Sequence, residues 1–109
     1  MKEINAIVKP FKVDKILNKL LEAGYPNITV SLAEGTGTFT DDGAETATCF
    51  ALTNVEVAKI EIVCRDTDVD NIIEIISTEG HTGNPGDGII YLTHVERAFR
   101  VKSGAEMNF

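Results

Sequence analysis

Val55-Glu56-Val57-Ala58-Lys59-Ile60-Glu61-Ile62-Val63-Cys64 is an apolar, β-branched run that reads as a strand. Behind it, Asp66-Thr67-Asp68 supplies N-cap candidates, and Val69, Ile72, Ile73 and Ile76 recur at helical spacing. A Gly-rich loop follows, and then a last extended stretch, Gly88 to His94 and Val95 to Lys102, with a bend allowed between them. The first half of the chain has the same plan. Residues 2–9 alternate, placing Ile4, Ala6 and Val8 on one face, and Pro10 ends the strand. From Lys12 to Ala23, the residues Val13, Ile16, Leu17, Leu20 and Leu21 make an amphipathic helical stripe, and Gly24 sits where a helix stops. Past Tyr25-Pro26, Ile28 to Ala33 alternates as a second strand. The order β-α-β, loop, β-α-β predicts one α+β domain over residues 1–109, with the ferredoxin-like βαββαβ arrangement. It has a four-stranded antiparallel sheet and two helices on one face. The uncovered sheet face calls for further copies of the chain.

Composition narrows the function. No run approaches the roughly 18 apolar residues of a membrane span, and the start of the chain lacks a signal-peptide core, so the expectation is a cytoplasmic protein with no membrane insertion. The net charge of −7 argues against nucleic acid as a partner, because counterion release needs a basic face. No Lys or Arg occurs between Lys19 and Lys59, a gap that holds Glu22, Glu34, Asp41, Asp42, Glu45 and Glu56. Cys49 and Cys64 lack CxxC spacing and read as reduced thiols.

Two segments point to chemistry. Thr82-Gly83-Asn84-Pro85-Gly86-Asp87-Gly88 has three glycines and a proline in a tight loop, whose backbone N–H groups suit an anion such as phosphate. Arg100 and Lys102, at i and i+2 of an expected strand, point to one side and suit the same anion. The polar interval from Glu34 to Asn54, with Gly35, Gly37, Gly43 and the acidic cluster, is long enough to be read as a functional loop. His81 borders the Gly-rich loop, and His94 reads as a surface histidine.

At this point the residues resemble the PII signalling family, the trimeric nitrogen-regulatory proteins. Met1 to Lys12, with its Lys9-Pro10-Phe11-Lys12 turn, is similar to the family's first strand and turn. Thr29-Val30 and Gly35-x-Gly37 resemble the strand entering the long T-loop, and Lys59 to Val63 resembles the third strand. Thr82-Gly83, Gly86-Asp87-Gly88 and Arg100-x-Lys102-x-Gly104 look like the B-loop and C-loop motifs. The matches run in the family's order from residue 1 to about 106.

The resemblance implies a homotrimer that binds ATP or ADP, with AMP also admissible, in clefts between subunits. It implies a regulator of nitrogen utilisation and not an enzyme, acting on a target transporter or enzyme through the T-loop. It places the T-loop at about 36–54, the B-loop at about 80–88 and the C-loop at about 100–109. Nucleotide-binding residues carried over are Thr29, Gly35, Gly37, Thr38, Val63, Gly86, Asp87, Gly88, Arg100 and Lys102. The Gly-Asp-Gly backbone and the two basic residues would hold the phosphates. Thr38, Phe39, Asp41, Asp42, Glu45 and Cys49 fall in the effector and target loop.

The departures from the family are specific. Ile89 stands where a lysine usually follows Gly-Asp-Gly. Thr38 and Phe39 replace the arginine and glutamine that open the T-loop, and Val57 replaces a lysine. That glutamine and lysine help hold 2-oxoglutarate with Mg-ATP in the family, so their loss argues against ordinary 2-oxoglutarate sensing. No Tyr lies between Tyr25 and Tyr91 and no Ser between Ser31 and Ser77, which removes the T-loop modification sites. The expectation is a divergent member with a rewritten output loop. Alternatives are a PII-like sensor of a non-nitrogen signal, either bicarbonate or a metal held by Asp41, Asp42 and Glu45, and a small phosphate-hydrolysing enzyme that uses the cations of Arg100 and Lys102.

Overall fold

Strand β1 (Lys2–Val8) lies at the centre of a four-stranded antiparallel sheet in the order β2-β5-β1-β6. Its neighbours are β5 (Val55–Cys64) and β6 (Gly88–His94), and β2 (Thr29–Gly35) lies outside β5. This is the ferredoxin-like arrangement, with helices α1 (Val13–Glu22) and α2 (Val69–Gly80) supplying the crossovers. The structure is a computed structural model that describes residues 1–36, 46–47, 52–53 and 55–108. Within the long polar interval, β3 (Thr46–Ala47) and β4 (Leu52–Thr53) pair with each other.

The register explains the alternation. Ile4 faces Ile62 on one side and Leu92 on the other, and Ala6 faces Ile60 and Ile90. Directly opposed residues share a sheet face. The face built from Ile4, Ala6, Val8, Ala58, Ile60, Ile62 and Cys64 packs against Ile16 and Leu20 of α1 and Val69, Ile72 and Ile76 of α2 in one buried cluster. The opposite face carries Glu3, Asn5, Ile7, Thr29, Val57, Lys59, Glu61, Val63, Ile89 and Tyr91.

Helix α1 stops as its sequence suggests. Gly24 takes φ +91°, its amide donates to the Leu21 carbonyl at 3.1 Å, and the Tyr25 amide donates to the Leu20 carbonyl at 2.9 Å. This pair of bonds is a Schellman cap, in which the left-handed residue is best a glycine. The N-termini differ from expectation. Asp66–Asp68 form a 3-10 turn, and Asp68 makes no side-chain cap bond to α2. Asp66 instead receives the N-terminal ammonium at 2.9 Å.

The C-terminal segment also differs. β6 ends at His94, and residues 101–103 form a turn, so Arg100 and Lys102 are not on a continuous strand. The segment folds back on itself. Phe99 bridges Glu106, and the Met107 amide donates to the Ala98 carbonyl at 2.8 Å. No helix among the described residues is long and apolar enough to cross a membrane.

Candidate functional site

Asp87 organises the Gly-rich loop. Its carboxylate accepts the Thr82 amide at 2.9 Å, the Gly83 amide at 3.0 Å and the Thr82 hydroxyl. Lys9 at the end of β1 places its ammonium 3.4 Å from the same carboxylate and 3.3 Å from Thr82 Oγ1. The Thr82 hydroxyl bond comes first among the causes that hold the Asp87 pKa well below the usual carboxylate range, followed by the Thr82 and Gly83 amides and Lys9. His81 Nδ1 lies 3.5 Å from Asp87 Oδ2 on an exposed side chain. The motif was read for its backbone, and the structure also engages the aspartate side chain, inward.

Gly88 closes the loop against β1. It takes φ +111°, and an added Cβ would lie against the Ile7 carbonyl, 2.8 Å from its carbon. Only glycine allows this approach, because the φ is left-handed and the space is filled. The bare backbone at Gly88 thus serves the packing of the loop on β1, while the Thr82, Gly83 and Asn84 amides are held inside the loop by Asp87 and the Thr82 hydroxyl. Beside it, Gly86 shares a cleft of about 180 Å³ with Lys9, Phe11, Val55 and Val57. Gly35 sits opposite Val55 in the β2–β5 register, at the same end of the sheet.

A second group assembles elsewhere. Thr29, Val63 and Arg100 line one cleft of about 640 Å³, together with Glu3, Asn27, Glu61, Ala98 and Met107. Thr29 and Gly35 stand at opposite ends of β2. Seven strand residues place them roughly 20 Å apart. One copy of the chain thus holds its candidate residues in two groups. The loop group is Gly35, Gly86, Asp87 and Gly88. The cleft group is Thr29, Val63 and Arg100. Lys102 is exposed in the turn beyond Arg100.

Two charged cleft residues were not singled out in the sequence reading. Glu61 lies two residues before Val63 and directly opposite Thr29, so strand alternation was the signal that could have found it. Glu3 accepts from Asn5 Nδ2 at 2.9 Å and from Thr93 Oγ1 at 3.3 Å on the same sheet face, contacts that no local pattern encodes. Gly37, Thr38, Phe39, Asp41, Asp42, Glu45 and Cys49 lie outside the described residues. Among the described residues, no three His, Cys, Asp or Glu side chains are gathered as a metal site. Cys64 is buried, and burial first, then the Asp68 and Asp66 charges, push its thiol pKa up, partly opposed by the N-terminal ammonium.

The family model described as nitrogen regulatory protein P-II matches residues 1–105. The chain is 41% identical over 109 residues to the nitrogen regulatory protein P-II of Azospirillum brasilense, covering 95% of this chain and 94% of that protein. It is 38% identical over 109 residues to the protein of that name from Rhizobium meliloti, with the same coverage. Identity to the Haemophilus influenzae protein of that name is 38% over 111 residues, covering 97% and 96%. Matches of this extent, on a ferredoxin-like sheet that carries the Gly-Asp-Gly loop and the Arg100 cleft, establish that the chain belongs to the nitrogen regulatory protein P-II family of signalling regulators.

Proposed function

We propose that the chain binds an adenine nucleotide, ATP or ADP, between adjacent copies of itself in a homotrimer. The observation that carries this reading is the split of the candidate residues. The loop group offers backbone donors, the cleft group offers Arg100, and the two stand at opposite ends of β2. A ligand that needs both is served when the cleft of one copy meets the loop of the next. Gly86, Asp87 and Gly88 then face the phosphates with their backbone. Arg100 and Lys102 of the neighbouring copy offset the phosphate charge, Arg100 as a planar fork and Lys102 as a point charge. Thr29, Val63 and Glu61 line the adenosine end.

The signalling output is assigned to the segment of about 36–54, which leaves β2 at Gly35 beside the loop group. Occupancy favours one arrangement of that segment over another, and a target protein reads the difference. The lysine positions taken by Val57, which is buried, and Ile89 carry apolar side chains on the sheet face turned away from the helices, which argues against the ordinary 2-oxoglutarate response.

Calorimetry with ATP, ADP and AMP, combined with native mass measurement, tests the reading. Arg100→Ala is expected to weaken nucleotide binding at least about tenfold, or about 1.4 kcal/mol. A monomeric protein that binds none of the three nucleotides refutes it.

A further inference from the structure

The chain beyond β6 is a two-faced ribbon. The Val95 amide donates to the Met1 carbonyl at 3.1 Å, the last backbone bond to the sheet among the described residues. From there the Met107 amide donates to Ala98 at 2.8 Å, the Arg100 amide to Ala105 at 2.9 Å, and the Gly104 amide to Arg100 at 2.8 Å. The ribbon turns at Gly104, which takes φ +72°. Alternation divides its side chains. Ala98, Arg100 and Met107 line the 640 Å³ cleft. Arg97 and Phe99 lie on the other face, with Glu106 opposite Phe99.

That back face carries a defined contact set. Arg97 Nε donates to Glu106 Oε2 at 2.9 Å and Nη2 to Oε1 at 3.2 Å, a bidentate fork. The same guanidinium stands 4.8 Å from the centre of the Phe99 ring. The hydrogen bonds that Arg97 donates to Glu106 hold the Arg97 pKa up.

We propose that Arg97, Phe99 and Glu106 form a register clasp, and that they are positioning residues for the phosphate contact of Arg100. A ribbon this short is weakly specified. A slip of one residue would turn Arg100 out of the cleft and Arg97 into it. The core cannot supply the register, because its cluster, with the residues packed against it, includes nothing beyond Ile90 among the described residues. Phe99 is half exposed, so its burial alone does not fix the pairing. The fork is geometrically selective. A planar guanidinium meets both carboxylate oxygens and one ring face in a single alignment of the two arms. The clasp therefore acts on which side chain faces the ligand and leaves domain stability alone. Its effect on ligand rests on the proposed role of Arg100.

The test uses the full chain with Glu106→Gln, Arg97→Gln, and the exchanged pair Arg97→Glu with Glu106→Arg. Three quantities are measured: affinity for ADP, ATP and adenosine, amide hydrogen exchange at Arg100 and Gly104, and the melting temperature. Each single variant is expected to lose about three- to tenfold in ADP and ATP affinity, the scale of an ion pair reinforced by a ring contact. Adenosine affinity and melting temperature stay at wild-type values, the two amides exchange faster, and the exchanged pair moves both readouts back. Single variants with wild-type exchange and wild-type nucleotide affinity overturn the clasp, and so does an equal loss for adenosine. A wild-type protein that binds no nucleotide instead refutes the ligand reading, and the exchange rates alone then decide whether the clasp sets the register.

Discussion

Replacing Gly88 by alanine isolates the contact on which the Gly-rich loop depends. Two costs are separable. The first is the left-handed backbone, which an L-residue occupies at about 1–2 kcal/mol. The second is steric. The added Cβ would stand 2.8 Å from the Ile7 carbonyl carbon and closer still to its oxygen, a backbone atom that cannot swing aside, so the strands must part. Gly88 pairs with Val8 at the start of β6, so parting them weakens the first rung of the β1–β6 ladder. A weakened backbone bond adds about 0.5–1.5 kcal/mol. The sum is a destabilisation of about 1.5–3.5 kcal/mol. Gly24→Ala is the control, because Gly24 also has positive φ but nothing within 4 Å of the new Cβ. It is expected to cost only the backbone part, about 1–2 kcal/mol. Urea denaturation of both variants at one fixed protomer concentration gives the comparison, since assembly makes stability concentration-dependent. Equal losses for the two variants would refute the steric reasoning. Nucleotide affinity is a second readout, with a drop expected for Gly88→Ala only.

Asp87 carries a pH signature. Its loop partners favour the charged carboxylate, so the stabilisation is present above the unfolded value of about 3.9 and is lost as the pH falls below it. Asp87→Asn is expected to be less stable at pH 7 and to show a shallower loss between pH 4 and 2, followed by denaturation at each pH. Ile72 is fully buried between helix and sheet. Ile72→Ala is expected to cost about 2–5 kcal/mol in the same assay. Cys64, whose thiol pKa is raised by burial, is expected to resist alkylation at pH 7–8 in a Cys49→Ser background and to react only on unfolding. Ile89→Lys adds a cation beside the Gly-rich loop and is expected to raise ATP affinity at least about threefold with adenosine unchanged, as calorimetry would show.

The fold was legible because its signals are local and periodic. The spacing of Ile16 and Leu20, the alternation of Ile4, Ala6 and Val8, and the glycine at position 24 each act within a few residues, and the structure uses them as read. Asp66 and Asp68 show the limit of such rules. They are good cap residues by type, but the N-terminal ammonium reaches Asp66 from the far end of the chain. The C-terminal ribbon was missed for a similar reason. Residues 95–102 look extended, and the bond between Arg97 and Glu106 joins residues that no helix or strand period relates. Gly104 after Lys102-Ser103 was the available turn signal. The candidate site was legible as motifs and not as geometry. Nothing in the spacing of Thr29, Val63 and Arg100 says that they meet in one cleft while Gly86 to Gly88 stand at another end of the sheet.

The ties among Lys9, Thr82 and Asp87 bear on timing as well as shape. A segment already stiffened from within would meet the proposed nucleotide without first having to settle, so little chain freedom would be surrendered at capture. Arrival rates of different guests would then be nearly alike, and the length of each guest's stay would carry the discrimination. On the proposed function, dwell time of the nucleotide on the scaffold is the quantity that a target protein would sense.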